Sequence, residues 1–137
     1  MLVSTKGRYA LSVMLDLAQN EEDKYISLKD IANRQGISMK YLEIIVSVLN
    51  KGGLLDSQRG KQGGYRLARP AREYSVGEIL NLTEGSLAPV NCLEDHDNKC
   101  EKAEECMTLP LWKKIDDTVT ELLSNITLED VLNNSIK

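Results

Sequence analysis

The sequence predicts a mainly α chain with one small β-hairpin and a long helix near its C-terminal end. Three observations carry this. Apolar residues recur at spacings of three and four from Tyr9 to Ala18, from Tyr41 to Leu49 and from Leu111 to Leu123, the period of a helix with one buried face. Leu54 to Gln58 and Tyr65 to Leu67 read as short strands about the turn RGKQGG, with glycines where positive φ is needed. A short helix, a turn at Gly36 and a second helix stand directly before that hairpin. In that order the elements make a winged helix-turn-helix.

The elements follow in sequence. Ser4 or Thr5 caps a first helix that runs to about Gln19, with Lys6 and Arg8 near its start. Asn20 to Lys24 is a polar loop. Ser27 caps a short helix with Asp30 near its third position, and Ile31 and Ala32 form the buried side. Ser38 caps the next helix, because its hydroxyl can accept from a free N–H of the first turn. Leu42, Ile45, Val46 and Leu49 face the core there, while Lys40, Glu43, Ser47 and Lys51 form one polar stripe. Gly52 and Gly53 end that helix. After the wing, Pro70 opens a connector and Ser75-Val76-Gly77-Glu78 reads as a capping box for a helix to about Leu82. Thr108 is expected to cap the long helix, with Pro110 in its first turn. Thr127 opens a final short helix, and Asn133 to Lys137 is expected to fray.

Composition sets limits on function. The 137 residues suffice for one domain, or one domain with a dimerisation extension. With no Phe, the core must come from Leu, Ile, Val, Ala and Met. The net charge of −4 hides a division: residues 1–74 balance at +4 and residues 75–137 at −8. The first part is suited to meet phosphate and the second is kept from it. From Ser57 to Tyr74 there are five bases and one acid. A helix with an exposed polar stripe, followed by a hairpin tipped with Arg59 and Lys61, suits double-stranded DNA. The helix would enter the major groove, with the tip on phosphates or in the minor groove. No apolar run reaches transmembrane length and no signal-peptide core is present, so no membrane role and a cytoplasmic location are expected. No acid–base set or cofactor motif supports an enzyme.

The apolar stripe Leu111, Trp112, Ile115, Val119, Leu122 and Leu123 has little room to be buried within one small domain. It is expected to pair with a second copy in a two-fold homodimer, the other course being an intramolecular core helix. Before it lies the loop NCLEDHDNKCEKAEEC, with Cys92, Cys100 and Cys106 spaced C-x7-C-x5-C and the single histidine, His96, between them. The spacing is loose for a zinc finger and matches neither common ferredoxin pattern. Three thiols with His96 would still suit Zn2+ or an unusual [2Fe–2S] cluster; otherwise they are free thiols in a solvated acidic loop. The surrounding carboxylates should raise the thiol pKa values.

The segments STKGRYAL, ISMKYLEIIVSVLNKGGLLDSQRGKQGGYRLA, VGEIL, the three-cysteine loop, LW and NITLEDV, in this order over nearly the whole chain, resemble the Rrf2 family of bacterial winged-helix transcription regulators. The nearest branch is the IscR-like one, which senses iron–sulfur cluster status. The resemblance implies a homodimer on a palindromic operator and a [2Fe–2S] cluster on Cys92, Cys100 and Cys106, with zinc the lesser alternative. It also implies that cluster occupancy sets promoter choice, often as repression. Carried over by position, Glu43 would read base edges, Ser38, Lys40 and Tyr41 would support it, and Arg59 would enter the minor groove. The chain departs from the pattern at the fourth cluster ligand. Leu109 stands where the IscR-like branch has histidine, and Arg8 where nitric-oxide-sensing relatives have aspartate. His96, a loop carboxylate, a small thiol or solvent would then complete the set. The ending LEDV is shared with cluster-free repressors of cysteine metabolism, which answer to a partner enzyme. The expected division is residues 1–83 as the winged helix-turn-helix, 84–107 as a cysteine-containing sensor loop, and 108–137 as the dimerisation and C-terminal helices.

Overall fold

A computed structural model gives the structure of the chain and describes residues 3–20, 24–94 and 104–136. The element order is α1 (Thr5–Ala18), α2 (Leu28–Gln35), α3 (Met39–Lys51), β1 (Leu55–Gln58), β2 (Gly64–Leu67), α4 (Val76–Glu84), α5 (Leu109–Asn125) and α6 (Leu128–Leu132). Short 3-10 turns lie at Ala71–Glu73 and Asn91–Leu93. This is the mainly helical, winged architecture that the periodicity predicts.

Local chemistry sets the helix starts. The Ser4, Ser27, Ser38 and Ser75 hydroxyls each accept from the N–H three residues on. Each thereby satisfies one of the donors a helix start leaves free. Gly36 ends α2 at φ 65°, ψ 32°, a left-handed turn that a side chain would strain, and so sets the angle between α2 and α3.

Two caps differ from expectation. The Ser75 hydroxyl takes the Glu78 N–H, but the Glu78 carboxylate is 2.7 Å from the Arg69 guanidinium, so the connector claims the group a reciprocal box would use. Thr108 is itself in helical conformation and its hydroxyl makes no cap bond. That hydroxyl accepts instead from the indole N–H of Trp112 at 3.1 Å. Thr127 and Asp130 do form a full capping box at the start of α6.

The core lies among α1, α2, α3 and the base of the wing. Met14, Ile31, Leu42, Ile45 and Leu49 are fully buried there, together with Leu128 from α6. The strands pair antiparallel, from Leu55 opposite Leu67 to Gln58 opposite Gly64. Ile26 bridges the other edge of β2, its N–H and C=O both bonded to Tyr65 at 2.8 and 2.9 Å. Gly64 has φ 147°, and a Cβ there would run into the Ile26 carbonyl, so glycine lets β2 lie on the entry to α2.

Tyr74, fully buried, donates its hydroxyl to the Leu54 carbonyl at 2.6 Å and accepts from the Arg69 N–H at 3.0 Å. Backbone bonds from Val76 to Ile126 and from Leu128 to Tyr74 tie the start of α6 to the connector. α5 crosses α4 where Leu123 rests on Gly77, and only Leu109 in α5 is buried.

Candidate nucleic-acid interface and cysteine site

α3 presents two faces. Leu42, Ile45, Val46 and Leu49 are turned inward. Met39, Lys40, Glu43, Ile44, Ser47 and Lys51 are exposed. Ser38 spends its hydroxyl on the Tyr41 N–H at 3.2 Å. The Tyr41 ring is half-buried and meets Tyr9 edge to face, with centroids 5.7 Å apart, so its place is fixed by α1. Among the described residues, Lys40 and Glu43 have no ion-pair or hydrogen-bond partner in the chain. Their charged ends are therefore unengaged at the surface.

The bases of the wing and connector divide into two kinds. Arg66 lies over the Tyr25 ring at 4.5 Å and 3.6 Å from the Asp56 carboxylate. Arg69 lies over the Tyr74 ring at 4.3 Å, pairs with Glu78 and donates to the Glu73 carbonyl. Hydrogen bonding to Glu78 holds the Arg69 pKa above its ordinary value. These two arginines brace the fold. Arg59 and Lys61, in the turn between the strands, are exposed, and with Arg72 have no partner among the described residues. Sequence counting treats all five bases alike; tertiary contacts separate them.

The helix-turn-helix is braced from below. Asp16, 3% exposed, accepts from Arg34 at 2.7 and 3.0 Å and from the Gln35 amide at 2.8 Å. Burial by itself would raise the Asp16 pKa, but the Arg34 and Gln35 donors and the Arg34 charge outweigh it and hold the carboxyl below its ordinary value.

At the cysteine site, Cys92 lies in the Asn91–Leu93 turn and Cys106 just ahead of α5, both half-buried free thiols. Cys100 and His96 lie outside the described residues, and among the described residues no three metal-ligating side chains gather. The Cys106 sulfur is 3.4 Å from the Thr108 hydroxyl. That hydroxyl, with the Thr108 and Leu109 N–H groups at the head of α5, lowers the Cys106 pKa. The expectation that the acidic loop would raise it fails for this thiol, because the Thr108 hydroxyl and the two N–H groups favour the charged form. A thiolate is the state that binds iron or zinc, so this donor chemistry fits such a group. Leu109 is 8% exposed and packed, with no donor to offer a metal. Arg8 donates to the Thr5 hydroxyl.

An arrangement of helix-turn-helix and wing with an unengaged polar stripe and basic tip belongs to DNA-binding proteins. The chain belongs to the Rrf2 family: the family model described as "Iron-dependent Transcriptional regulator" matches residues 3–134. Its members are regulators of transcription, not enzymes. The chain is 40% identical over 134 residues to the HTH-type transcriptional regulator IscR of Pectobacterium atrosepticum, covering 98% of this chain and 80% of that one. Among solved structures, IscR of T. potens is 42% identical with a TM-score of 0.77, covering 98% of this chain and 88% of that chain. CymR, the global cysteine regulator of B. subtilis, is 37% identical with a TM-score of 0.79, covering 98% of each.

No helix among the described residues is long and apolar enough to cross a membrane.

Proposed function

We propose that the chain is a homodimeric, sequence-specific repressor whose DNA binding is controlled by a [2Fe–2S] cluster on Cys92, Cys100 and Cys106. α3 enters the major groove of a palindromic operator. Glu43 accepts from cytosine N4, Lys40 meets phosphate or a base edge, and Ser38 and Tyr41 hold the helix start in position. Arg59 and Lys61 carry the wing into the backbone or minor groove. Residues 1–83 form the DNA-binding part, 84–107 the sensor loop, and 108–137 the dimer helix and its return. Such a regulator acts on the chromosome, in the cytoplasm.

The observation that carries the DNA reading is the pairing of an unengaged Glu43 and Lys40 on α3 with an unengaged Arg59 and Lys61 on the wing. Two observations support the rest. α5 leaves Leu111 53% and Leu122 52% exposed, surface that a second copy of the helix would cover. Cys106 stands at the head of that same helix, so a cluster held by its sulfur would bear on the element that joins the protomers. When bound, the cluster supplies a redox- and supply-sensitive group. Of the described thiols, Cys106 at the head of α5 and Cys92 in the Asn91–Leu93 turn would hold it. With no histidine at 109, His96, a loop carboxylate, a small thiol or solvent fills the fourth position, which suits a labile cluster. Zinc is the lesser alternative for the same thiols.

The likeness to CymR supports a second reading: a cluster-free repressor of cysteine or sulfur metabolism, with a metabolic enzyme as its regulatory partner. Selecting binding sites from random duplexes with the unaltered protein and with Glu43→Ala tests the DNA reading. Glu43→Ala should lose preference at one base pair per half-site, by roughly ten-fold, while non-specific binding stays the same. An unchanged selected motif overturns the assignment of Glu43.

A further inference from the structure

Ile44 is 49% exposed although it is a large aliphatic residue in a well-formed helix. It lies four residues after Lys40 and three before Ser47, so it stands inside the exposed stripe of α3, one helical step from Glu43. A β-branched side chain loses rotamer freedom in a helix and here leaves apolar surface in water. Single exposed aliphatics are ordinary on protein surfaces. Ile44 differs in its company: the unengaged Lys40 and Glu43 on one side, the half-buried Tyr41 on the other, and a second exposed apolar residue, Met39 at 43%, in the first turn.

A stripe of this make-up in a major groove meets one apolar feature on base edges, the C5-methyl of thymine. Isoleucine can neither donate nor accept a hydrogen bond, so it gains nothing from the other groups there. We propose that Ile44 is a specificity-determining residue that reads a thymine methyl next to the base pair read by Glu43. This rests on the reading of α3 as the recognition helix. It gives each half-site a thymine recognised by packing beside a cytosine recognised by a carboxylate. Thymine is thereby set apart from uracil, from which it differs by that methyl group alone.

The experiment starts from duplexes selected by the full-length protein. In the best of them, each thymine in turn is replaced by deoxyuridine, which removes only the methyl group. With the unaltered protein, one position per half-site should weaken binding about four-fold, the worth of one buried methyl. Ile44→Ala should bind the thymine and uracil duplexes alike, and Ile44→Val should keep most of the difference. Tolerance of uracil at every position by the unaltered protein overturns the proposal, as does the same uracil sensitivity in Ile44→Ala. The scan of the unaltered protein can overturn the proposal even if Ile44→Ala folds poorly, and the near-isosteric Ile44→Val then carries the assignment to Ile44. A selection that enriches no sequence fails differently: it removes the recognition-helix reading, and the role of Ile44 with it.

Discussion

The region from α1 to α4 and the helix α5 meet water in different ways. The first, with Leu128 of α6, closes its core within one chain: Met14, Ile31, Leu42, Ile45 and Leu49 are fully buried. Its surface is mostly polar, and the exposed aliphatics Met39 and Ile44 both fall on α3. α5 is the longest helix, 17 residues, yet buries only Leu109. Leu111 and Leu122 are more than half exposed, and Met107 just before the helix is 95% exposed. Helical stability in water comes mainly from packing of the apolar face. The first region therefore has within one chain what it needs to stand, and lacks only its DNA. α5 keeps an apolar face in water, the face that the proposed second copy would cover. The same contrast appears among the arginines: Arg66 and Arg69 are held by aromatic rings and carboxylates, whereas Arg59 is not.

The largest expected effect comes from placing charge on α5. Leu122→Asp should give a monomer in light scattering and weaken operator binding by at least about 100-fold, because one half-site is then held without the other. A dimer that persists would break the contrast between the two regions. Next is the brace under the helix-turn-helix. Asp16→Ala should lower stability by about 2 kcal/mol, less than for a fully buried pair because Arg34 is 46% exposed. Its pH dependence has a definite sign. The folded-state pKa of Asp16 lies below the ordinary 3.8, so the contribution is complete above that value and is lost as pH falls through the folded one. Melting curves of the unaltered protein and Asp16→Asn should therefore stay apart above 3.8 and draw together only as pH falls below it. Tyr74→Phe should cost about 1 kcal/mol in chemical denaturation, by removing the donor to the Leu54 carbonyl and the acceptor for the Arg69 N–H. The smallest effect separates the two kinds of arginine. Arg59→Ala should reduce the slope of log affinity against log salt by about one, and Arg66→Ala should leave it unchanged.

Much of this was legible in the residues, because it depends on short-range chemistry. Ser27 and Ser38 mark helix starts through bonds reaching only three residues ahead. The inward set Leu42, Ile45, Val46 and Leu49 follows from the helical period alone. The failures all involve a competing partner. Glu78 has the right offset for a capping box, but Arg69 is nine residues away in sequence and beside it in space. Thr108 is a good capping type, but Trp112 one turn on takes its hydroxyl. The Cys106 thiol departs from its expected direction because charge counted along a chain ignores which donors point at the sulfur. Ile44 sits in an apolar run, and only its angular position shows that it faces out. His96 and Cys100, the other donors the sequence offers, lie outside the described residues.

The proposed cluster on this loop, in control of a DNA-binding dimer, can be tested by its colour and its metal. The most direct measurement is on protein purified without oxygen: its visible absorption spectrum, with iron and acid-labile sulfide per chain, on the unaltered protein and on the triple variant with Cys92, Cys100 and Cys106 changed to Ser. The expected result is a brown sample with about two irons and two sulfides per chain, and a colourless, metal-free triple variant with altered operator binding. A colourless, metal-free unaltered protein that binds its operator as the triple variant does would contradict it and leave the partner-controlled repressor.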